Sequence, residues 1–142
     1  MNDLDALIAA MYDTVCFELG ERPHWSRQKE MFAPGVRLVR VHDGGVFEFD
    51  LVSYRADFER MIDSGELTSF WEGELWRETR LFEDVAHVLS AYESRRGRNG
   101  EFLGRGVNSI QLFRRDGQWR ISAMIWRREG RDVRISATGT SA

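Results

Sequence analysis

The sequence has 142 residues, of which 42% are hydrophobic and 30% are charged, and its net charge at neutral pH is −3. This length supports one globular domain with a single hydrophobic core. No apolar run reaches the roughly 18 residues of a membrane-spanning helix, and the two acidic residues near the first methionine argue against a secretion signal. We therefore expect a cytoplasmic protein with no membrane partner. Because the arginines are spread along the chain, nucleic acid is not an expected partner either.

Three stretches in the first half of the chain have the apolar spacing of amphipathic helices. The first is predicted to begin after a cap at Asn2 or Asp3 and to end at Gly20. The second, SRQKEMF, begins at Ser26, and the third, YRADFERMIDS, follows a cap at Ser53. The apolar stripe of the first helix consists of Leu4, Leu7, Ile8, Met11, Val15 and Leu19.

The rest of the chain is predicted to form strands. VRLVRVH and VFEF form a first pair, and TSFWEGELWRETRLF, VAHVLSAYESR and the two arms of VNSIQLFRRDGQWRISAMIWRRE follow the third helix. The predicted fold is therefore α+β, with three N-terminal helices packed in a strongly curved antiparallel sheet of roughly six strands. Residues 1–129 are predicted to form this domain. Residues 130–142 are predicted to be a polar, mobile tail, although its VRI could add to a sheet edge.

The last hairpin turns at Asp116-Gly117, where glycine can supply the positive φ of a tight turn. Pairing Arg115 with Gln118 sets the register by counting. This count turns Asn108 toward the helices and leaves the opposite face partly apolar. Because exposed apolar side chains on this face are unfavourable in water, we expect a second copy of the chain to bury them. The predicted homodimer contact is made by Val107, Phe113, Met124 and Trp126.

The order of the elements, together with VAHVLSAYES, RGVNSIQLFRRDGQWRIS and IWRRE, resembles the nuclear transport factor 2-like superfamily and, within it, the SnoaL-like bacterial branch. The resemblance covers roughly residues 4–129. It implies a cystatin-like cone whose interior lies between the helices and the sheet. Members of the superfamily include ketosteroid isomerases, polyketide cyclases, dehydratases and non-enzymatic adaptors.

The strands on either side of the turn at Glu83-Asp84 carry polar residues on both faces. Counting back from this turn places Arg77, Ser90 and Tyr92 on the more apolar face, which we expect to face the helices. A β-bulge would exchange the two faces over part of the strand. Tyr12 and Tyr54 on the helices and Asn108 on the last hairpin are expected to join them. Together with His87, the predicted ligand-binding residues are Tyr12, Tyr54, Arg77, His87, Ser90, Tyr92 and Asn108.

The outward face of this hairpin has two unusual features. His87 points outward by the same count, as a surface or interface histidine, unless a bulge turns it inward, where it would be an acid–base candidate. Glu74 is expected opposite Glu93, and like charges in such a position repel. Either arginines neutralise the pair, or one carboxyl group is protonated.

The resemblance implies specific requirements for ketosteroid isomerase chemistry, and the sequence meets them only in part. Tyr12 matches the tyrosine of the first helix, but VRLVRVH carries no carboxylate that could act as the base. No metal-ligand, nucleophile or phosphate-loop motif occurs, so no metal or cofactor is expected. The function predicted first is binding of a small, largely apolar molecule in the cone. The alternatives are a general acid–base isomerase, cyclase or dehydratase in the same pocket, and an adaptor acting through the outer sheet face.

Overall fold

The computed structural model describes residues 3–136. Its elements are α1 (Leu4–Thr14), a 3-10 helix (Trp25–Glu30), β1 (Phe32–His42), β2 (Gly45–Phe49), α2 (Leu51–Asp63), β3 (Trp71–Phe82), β4 (Val85–Arg95), β5 (Phe102–Arg115) and β6 (Gln118–Arg128). The strands form one six-stranded sheet in the order β2-β1-β6-β5-β4-β3. All neighbours are antiparallel except β1 and β6, which run parallel. No helix between residues 3 and 136 is long and apolar enough to cross a membrane.

The predicted α+β class is confirmed, but the helices differ from the prediction. α1 is capped by Asp3 and ends at Thr14 instead of continuing to Gly20. Beyond it, Phe17 exchanges two backbone hydrogen bonds of 2.9 Å with Phe70, so the chain becomes extended to pair with the start of the sheet. Leu19 is consequently 79% exposed. Local helical spacing is overridden here by a tertiary backbone pairing.

The second and third predicted helices also need correction. The second is a six-residue 3-10 helix, and the chain enters β1 directly after it. Only two α-helices and one 3-10 helix therefore precede β3 among the described residues. α2 begins at Leu51, and its N-cap is Asp50. Ser53, the predicted cap, is the other half of a capping box, in which each side chain accepts a hydrogen bond from the other residue's backbone N–H.

The interior contains two hydrophobic clusters. The larger cluster packs one face of α1 against the concave side of the sheet, and Ile8, Leu38, Ile110 and Ile121 are fully buried in it. The smaller cluster packs α2 and the chain after α1 around Phe58. Each buried aliphatic side chain contributes about 1.5–3 kcal/mol relative to an exposed one.

A β-bulge in β6 changes which side chains face the core. Leu112 pairs with Ile121 as predicted, but Gln111 pairs with Ala123, which leaves Ser122 as the extra residue. From that point the two faces are exchanged. The predicted outward position of two large side chains is therefore wrong, because Met124 and Trp126 lie in the core with exposures of 7% and 9%.

A second bulge, in β3, has the same effect on the neighbouring hairpin. The pairings of Arg80 with His87 and of Trp76 with Ala91 agree with the count, but Glu74 pairs with Tyr92, so Leu75 is the extra residue. The expected juxtaposition of Glu74 and Glu93 is therefore wrong. The bulge turns the side chains of Glu74 and Glu72 toward the concave side of the sheet.

The chain after β6 lies along the protein through specific contacts rather than as a strand. The Asp43 carboxylate accepts a hydrogen bond of 2.9 Å from the Arg131 backbone N–H. Glu129 accepts one of 2.9 Å from the Ile135 N–H, and Trp76 Nε1 donates to the Ser136 carbonyl at 2.6 Å. Residues 133–135 therefore form no sheet edge in this part of the chain. The rest of the predicted tail, residues 137–142, lies outside the described residues.

Candidate functional site

Three rows of residues cross the concave face of the sheet where β3, β4 and β5 meet. They are centred on Ser90, Tyr92 and Ser94, which alternate along β4 and therefore share one face. In the first row Arg77, Ser90, Asn108 and Trp126 are neighbours across four strands. The second row contains Glu74, Tyr92, Gly106 and Arg128, and the third contains Glu72, Ser94 and Gly104.

The first row forms a buried hydrogen-bonded network with α1. The Tyr12 hydroxyl lies 2.6 Å from Ser90 Oγ and accepts a hydrogen bond of 2.9 Å from Asn108 Nδ2. Ser90 Oγ donates to Glu74, and Arg77 holds the same carboxylate with Nε at 3.0 Å. Four of the predicted site residues are thus brought together. Their polar atoms satisfy one another, so this network ties α1 to the sheet.

This network also explains the state of the Tyr12 phenol. Burial, followed by the nearby Glu72 carboxyl group, raises the pKa of Tyr12 above its ordinary value. The phenol is therefore neutral at physiological pH and serves as a hydrogen-bond partner rather than as a base. None of the network residues Tyr12, Ser90, Asn108 or Arg77 lines the cavity described next.

A cavity of about 280 Å³ lies between the two hydrophobic clusters, beside the second and third rows. Its apolar wall consists of Phe58, Met61, Leu67, Phe70, Leu103 and Trp126. Its polar lining consists of Arg40, Glu66, Glu72, Tyr92, Ser94, Arg96 and Arg128. A cavity that combines an apolar wall with converging polar groups is typical of a small-molecule site.

Glu72 is the most unusual group in this cavity. Burial raises the pKa of its carboxyl group to about 7, because desolvation outweighs the opposing effects of the Ser94 hydrogen bond and the Arg128 charge. Ser94 Oγ donates to Glu72 Oε2 at 3.3 Å. Between residues 3 and 136 no cation forms an ion pair with Glu72. This carboxyl group therefore exchanges a proton near neutral pH.

Two glycines on β5 provide the space around these polar groups. A Cβ at Gly106 would lie 2.6 Å from the Tyr92 hydroxyl oxygen and 2.5 Å from the Arg127 carbonyl oxygen, so only glycine fits there. A Cβ at Gly104 would meet only Arg128 Nη2, at 3.4 Å. Burial, followed by the nearby Glu72 carboxyl group, raises the pKa of Tyr92, which keeps its phenol protonated at physiological pH.

The remaining predicted site residues lie elsewhere. Tyr54 belongs to an aromatic cluster on α2, with ring centroids 5.7 Å from Phe58 and 5.8 Å from Trp126, and its phenol does not line the cavity. His87 stays on the outer face of the sheet, as the count predicted, and its Nε2 lies 3.1 Å from Ser109 Oγ. Of the seven predicted ligand-binding residues, Tyr92 alone lines this cavity.

Sequence reasoning missed Glu72, Ser94, Arg40 and Arg128. Counting from the turn placed Glu72 on the outer face, and the bulge at Leu75 reversed it. Arginines neutralise the two glutamates that were expected to oppose each other, as one of the two alternatives required. Arg77 binds Glu74 at 2.9 Å and Arg95 binds Glu93 at 3.1 Å. No group of three or more histidine, cysteine or acidic side chains that could hold a metal occurs in residues 3–136.

Comparison with known proteins shows the fold. A crystal structure of an NTF-2-like protein of unknown function from Silicibacter pomeroyi is 17% identical and superimposes with a TM-score of 0.60, over 89% of this chain and 92% of that chain. A putative ketosteroid isomerase from Parabacteroides distasonis is 12% identical, with a TM-score of 0.58 over 89% and 85% of the two chains. A cystatin-like protein of unknown function from Nostoc punctiforme is 13% identical, with a TM-score of 0.55 over 75% and 74%.

The chain thus has the nuclear transport factor 2-like, cystatin-like fold, and the resemblance drawn from its sequence is confirmed at that level. No protein-family model and no curated protein matches the sequence. The identities of these structural neighbours are too low to transfer an activity, and fold alone does not determine function.

Proposed function

We propose that the cavity beside Glu72, Tyr92 and Ser94 binds a small, largely apolar molecule. Aromatic and aliphatic side chains supply most of its wall, and burial of apolar ligand surface against them favours binding. Its volume of about 280 Å³ suits a compact ligand such as a substituted single or fused ring. The polar groups of the lining would orient the ligand.

A second function, general acid–base catalysis, is supported by one observation: the Glu72 carboxyl group has a pKa of about 7 inside this cavity. A group with this pKa is present in both protonation states at neutral pH, which is optimal for proton transfer. As a carboxylate, Glu72 would remove a proton from the carbon next to a ligand carbonyl group and leave an enolate. As a carboxylic acid, it would return the proton to the same carbon or to a conjugated one. This cycle corresponds to an isomerase, cyclase or dehydratase half-reaction.

The neutral Tyr92 phenol and the Arg128 guanidinium group line the same cavity. Either group can donate a hydrogen bond to a developing enolate oxygen, which lowers the barrier to proton removal. Ser94 holds the Glu72 carboxyl group in place through its 3.3 Å hydrogen bond. Tyr92, Arg128 and Ser94 would therefore each assist the proposed proton transfer by Glu72.

The experiment uses 2-tetralone, a compact ketone with acidic α-protons, in deuterated buffer. Saturation-transfer NMR measures binding, and loss of the α-proton signals measures exchange. We expect saturable binding and catalysed exchange by the wild-type protein, normal binding but loss of exchange in Glu72→Gln, and wild-type behaviour in Glu78→Gln, whose side chain is exposed on the same strand. Binding without Glu72-dependent exchange would overturn the catalytic function alone. Absence of binding would overturn both functions.

A further inference from the structure

We propose that the molecule bound in this cavity carries a single carboxylate group, which is held by Arg40 and Arg128. This inference rests on the proposed binding function and adds the chemical class of the ligand. The observation that supports it is that Arg40 and Arg128, which both line the cavity, have hydrogen-bond donors without a partner among residues 3–136.

Two donors of the Arg40 guanidinium group, Nε and Nη2, have no hydrogen-bond partner among residues 3–136. Its Nη1 donates to Asp57 at 3.1 Å, and the group stacks on two rings, with its central carbon 5.2 Å from the Phe47 centroid and 5.0 Å from the Phe49 centroid. These contacts fix the orientation of the side chain. Its Nε is buried and has no hydrogen-bond partner. An unpaired buried donor is costly, so a ligand that accepts from it would gain the corresponding energy.

The geometry of these two donors indicates which acceptor fits. With Nη1 occupied by Asp57, the donors left to Arg40 are Nε and Nη2, which point in parallel. This side-on fork matches the two oxygens of a carboxylate. A hydroxyl or a single carbonyl oxygen would satisfy only one of the two donors.

Arg128 supplies a second cation at the same end of the sheet. It is exposed, lies over Gly104 and forms no ion pair with any residue in the range 3–136. Arg40 pairs with Trp126 across β1 and β6, and Arg128 lies two residues further along β6 on the same face of the sheet, so the two side chains extend from diagonal neighbours. The two arginines are thus near enough to share one anionic group.

The donors that remain unused in the lining also favour an anionic acceptor. Three arginines face two carboxyl groups, Glu66 and Glu72. Arg96 is already engaged, because it donates to the Glu66 carbonyl oxygen at 3.0 Å and pairs with Glu101 at 3.6 Å. Arg40 is paired with Asp57 through Nη1 alone, so its Nε and Nη2 donors and the unpaired Arg128 remain for a ligand whose apolar body contacts the aromatic wall, which describes a small apolar monocarboxylate.

The test compares trans-cinnamate with the neutral trans-cinnamamide, which has nearly the same shape. Titration calorimetry measures the dissociation constant of each for the wild type, Arg128→Gln and Arg40→Lys, with Arg80→Gln as the control because Arg80 is exposed on the opposite face. Lysine keeps the charge beside Asp57 but lacks the fork. We expect about a tenfold loss of cinnamate affinity in each of the two cavity variants, since hydrogen bonds to charged groups are at stake. The affinity for cinnamamide should change less than about twofold, by the same reasoning.

The outcomes separate the two proposals. If cinnamamide binds as well as cinnamate and the arginine variants have no effect, the carboxylate inference is overturned while the binding function stands. If neither compound binds, the binding function itself fails. trans-Styrylphosphonate provides a third arm, and tighter binding of this compound than of cinnamate would overturn the assignment to carboxylates. Thermal unfolding of Arg40→Lys verifies that any loss does not come from misfolding.

Discussion

Glu72 and Ser94 lie opposite each other on β3 and β4, and Ser94 Oγ donates to the Glu72 carboxyl group at 3.3 Å. This pairing exists because the bulge at Leu75 moves Glu72 to the concave face of the sheet. It places an ionisable group with a pKa of about 7 in the cavity, opposite strands that also supply part of its apolar wall. The difference in pH dependence between the wild type and a Glu72 variant should therefore report on this group.

Glu72→Gln should change how stability depends on pH. The pKa of Glu72 is about 7 in the folded protein, against an ordinary value of 4.5, so the folded state binds this proton more tightly than the unfolded state. The free energy of unfolding of the wild type should then fall as the pH rises from about 4.5 to about 7, by up to about 3 kcal/mol from this group. Arg128, the neutral phenols of Tyr12, Tyr54 and Tyr92 and the Cys16 thiol are the charged and titratable groups coupled to it. None of them titrates in this range, since burial also raises the pKa of Cys16.

Urea denaturation at pH 4 and pH 8 measures this effect. The variant should gain stability relative to the wild type at pH 8 and differ little at pH 4. Glu78→Gln, on the exposed face of the same strand, is the control for loss of a negative charge. An equal difference between Glu72→Gln and wild type at both pH values would contradict the assigned pKa.

Tyr12→Phe should destabilise the protein without affecting cavity binding. It removes the acceptor of the Asn108 Nδ2 hydrogen bond, and an unsatisfied buried amide costs about 1–3 kcal/mol. Tyr54→Phe is the matched control, because no hydrogen bond of the Tyr54 hydroxyl occurs among residues 3–136. Urea unfolding measures the first effect and 2-tetralone binding the second. A loss of binding affinity without a loss of stability would mean that Tyr12 contacts the ligand.

Gly104→Leu should block the cavity. The position lines the cavity, and a Cβ there meets only the flexible end of Arg128, so the added side chain extends into the open space. We expect at least a tenfold loss of 2-tetralone affinity, since the added side chain takes volume from a cavity of about 280 Å³. Thermal unfolding should show little change in stability. Binding at wild-type affinity would place the ligand outside this cavity.

Ile125→Glu should dissociate the homodimer that we continue to predict through the outer sheet face. Because the bulge at Ser122 moves Met124 and Trp126 inward, the apolar residues left on that face include Val107, Phe113 and Ile125, the last of which is 49% exposed. A buried unpaired charge at the contact would be strongly unfavourable. Sedimentation analysis measures the effect, with Val52→Glu on α2 as the control at another exposed apolar position. A wild-type protein that sediments as a monomer would contradict the prediction.

Much of the fold could be predicted from local chemistry. The turn at Asp116-Gly117 and the first pairs on each side of it follow from the turn residues, and they are observed as counted. The same holds for the pairs next to the turn at Glu83-Asp84, including Arg80 with His87. Tyr12, Ser90 and Asn108 were also expected on facing surfaces, and they form one hydrogen-bonded network.

The site itself was largely unpredicted for one physical reason. A strand alternates its side chains between two faces, so counting from a turn works only while the pairing is regular. One extra residue at Leu75 and one at Ser122 reverse every assignment beyond them. Neither Leu75 nor Ser122 can be recognised as a bulge from the residues next to it, because a bulge is stabilised by the side chains that the rest of the strand buries.

The sequence by itself determined the α+β class, the hairpin turns, the resemblance to the nuclear transport factor 2-like superfamily and the outward position of His87, since each depends on short-range spacing. The tertiary structure alone decided that Trp126 enters the core and that Glu72 enters the cavity. Burying Met124 and Trp126 against the helices favours the shifted register of β6, and Glu72 enters a desolvated position that raises its pKa to about 7. Burial of apolar side chains across strands far apart in sequence thus determines where the ionisable group lies.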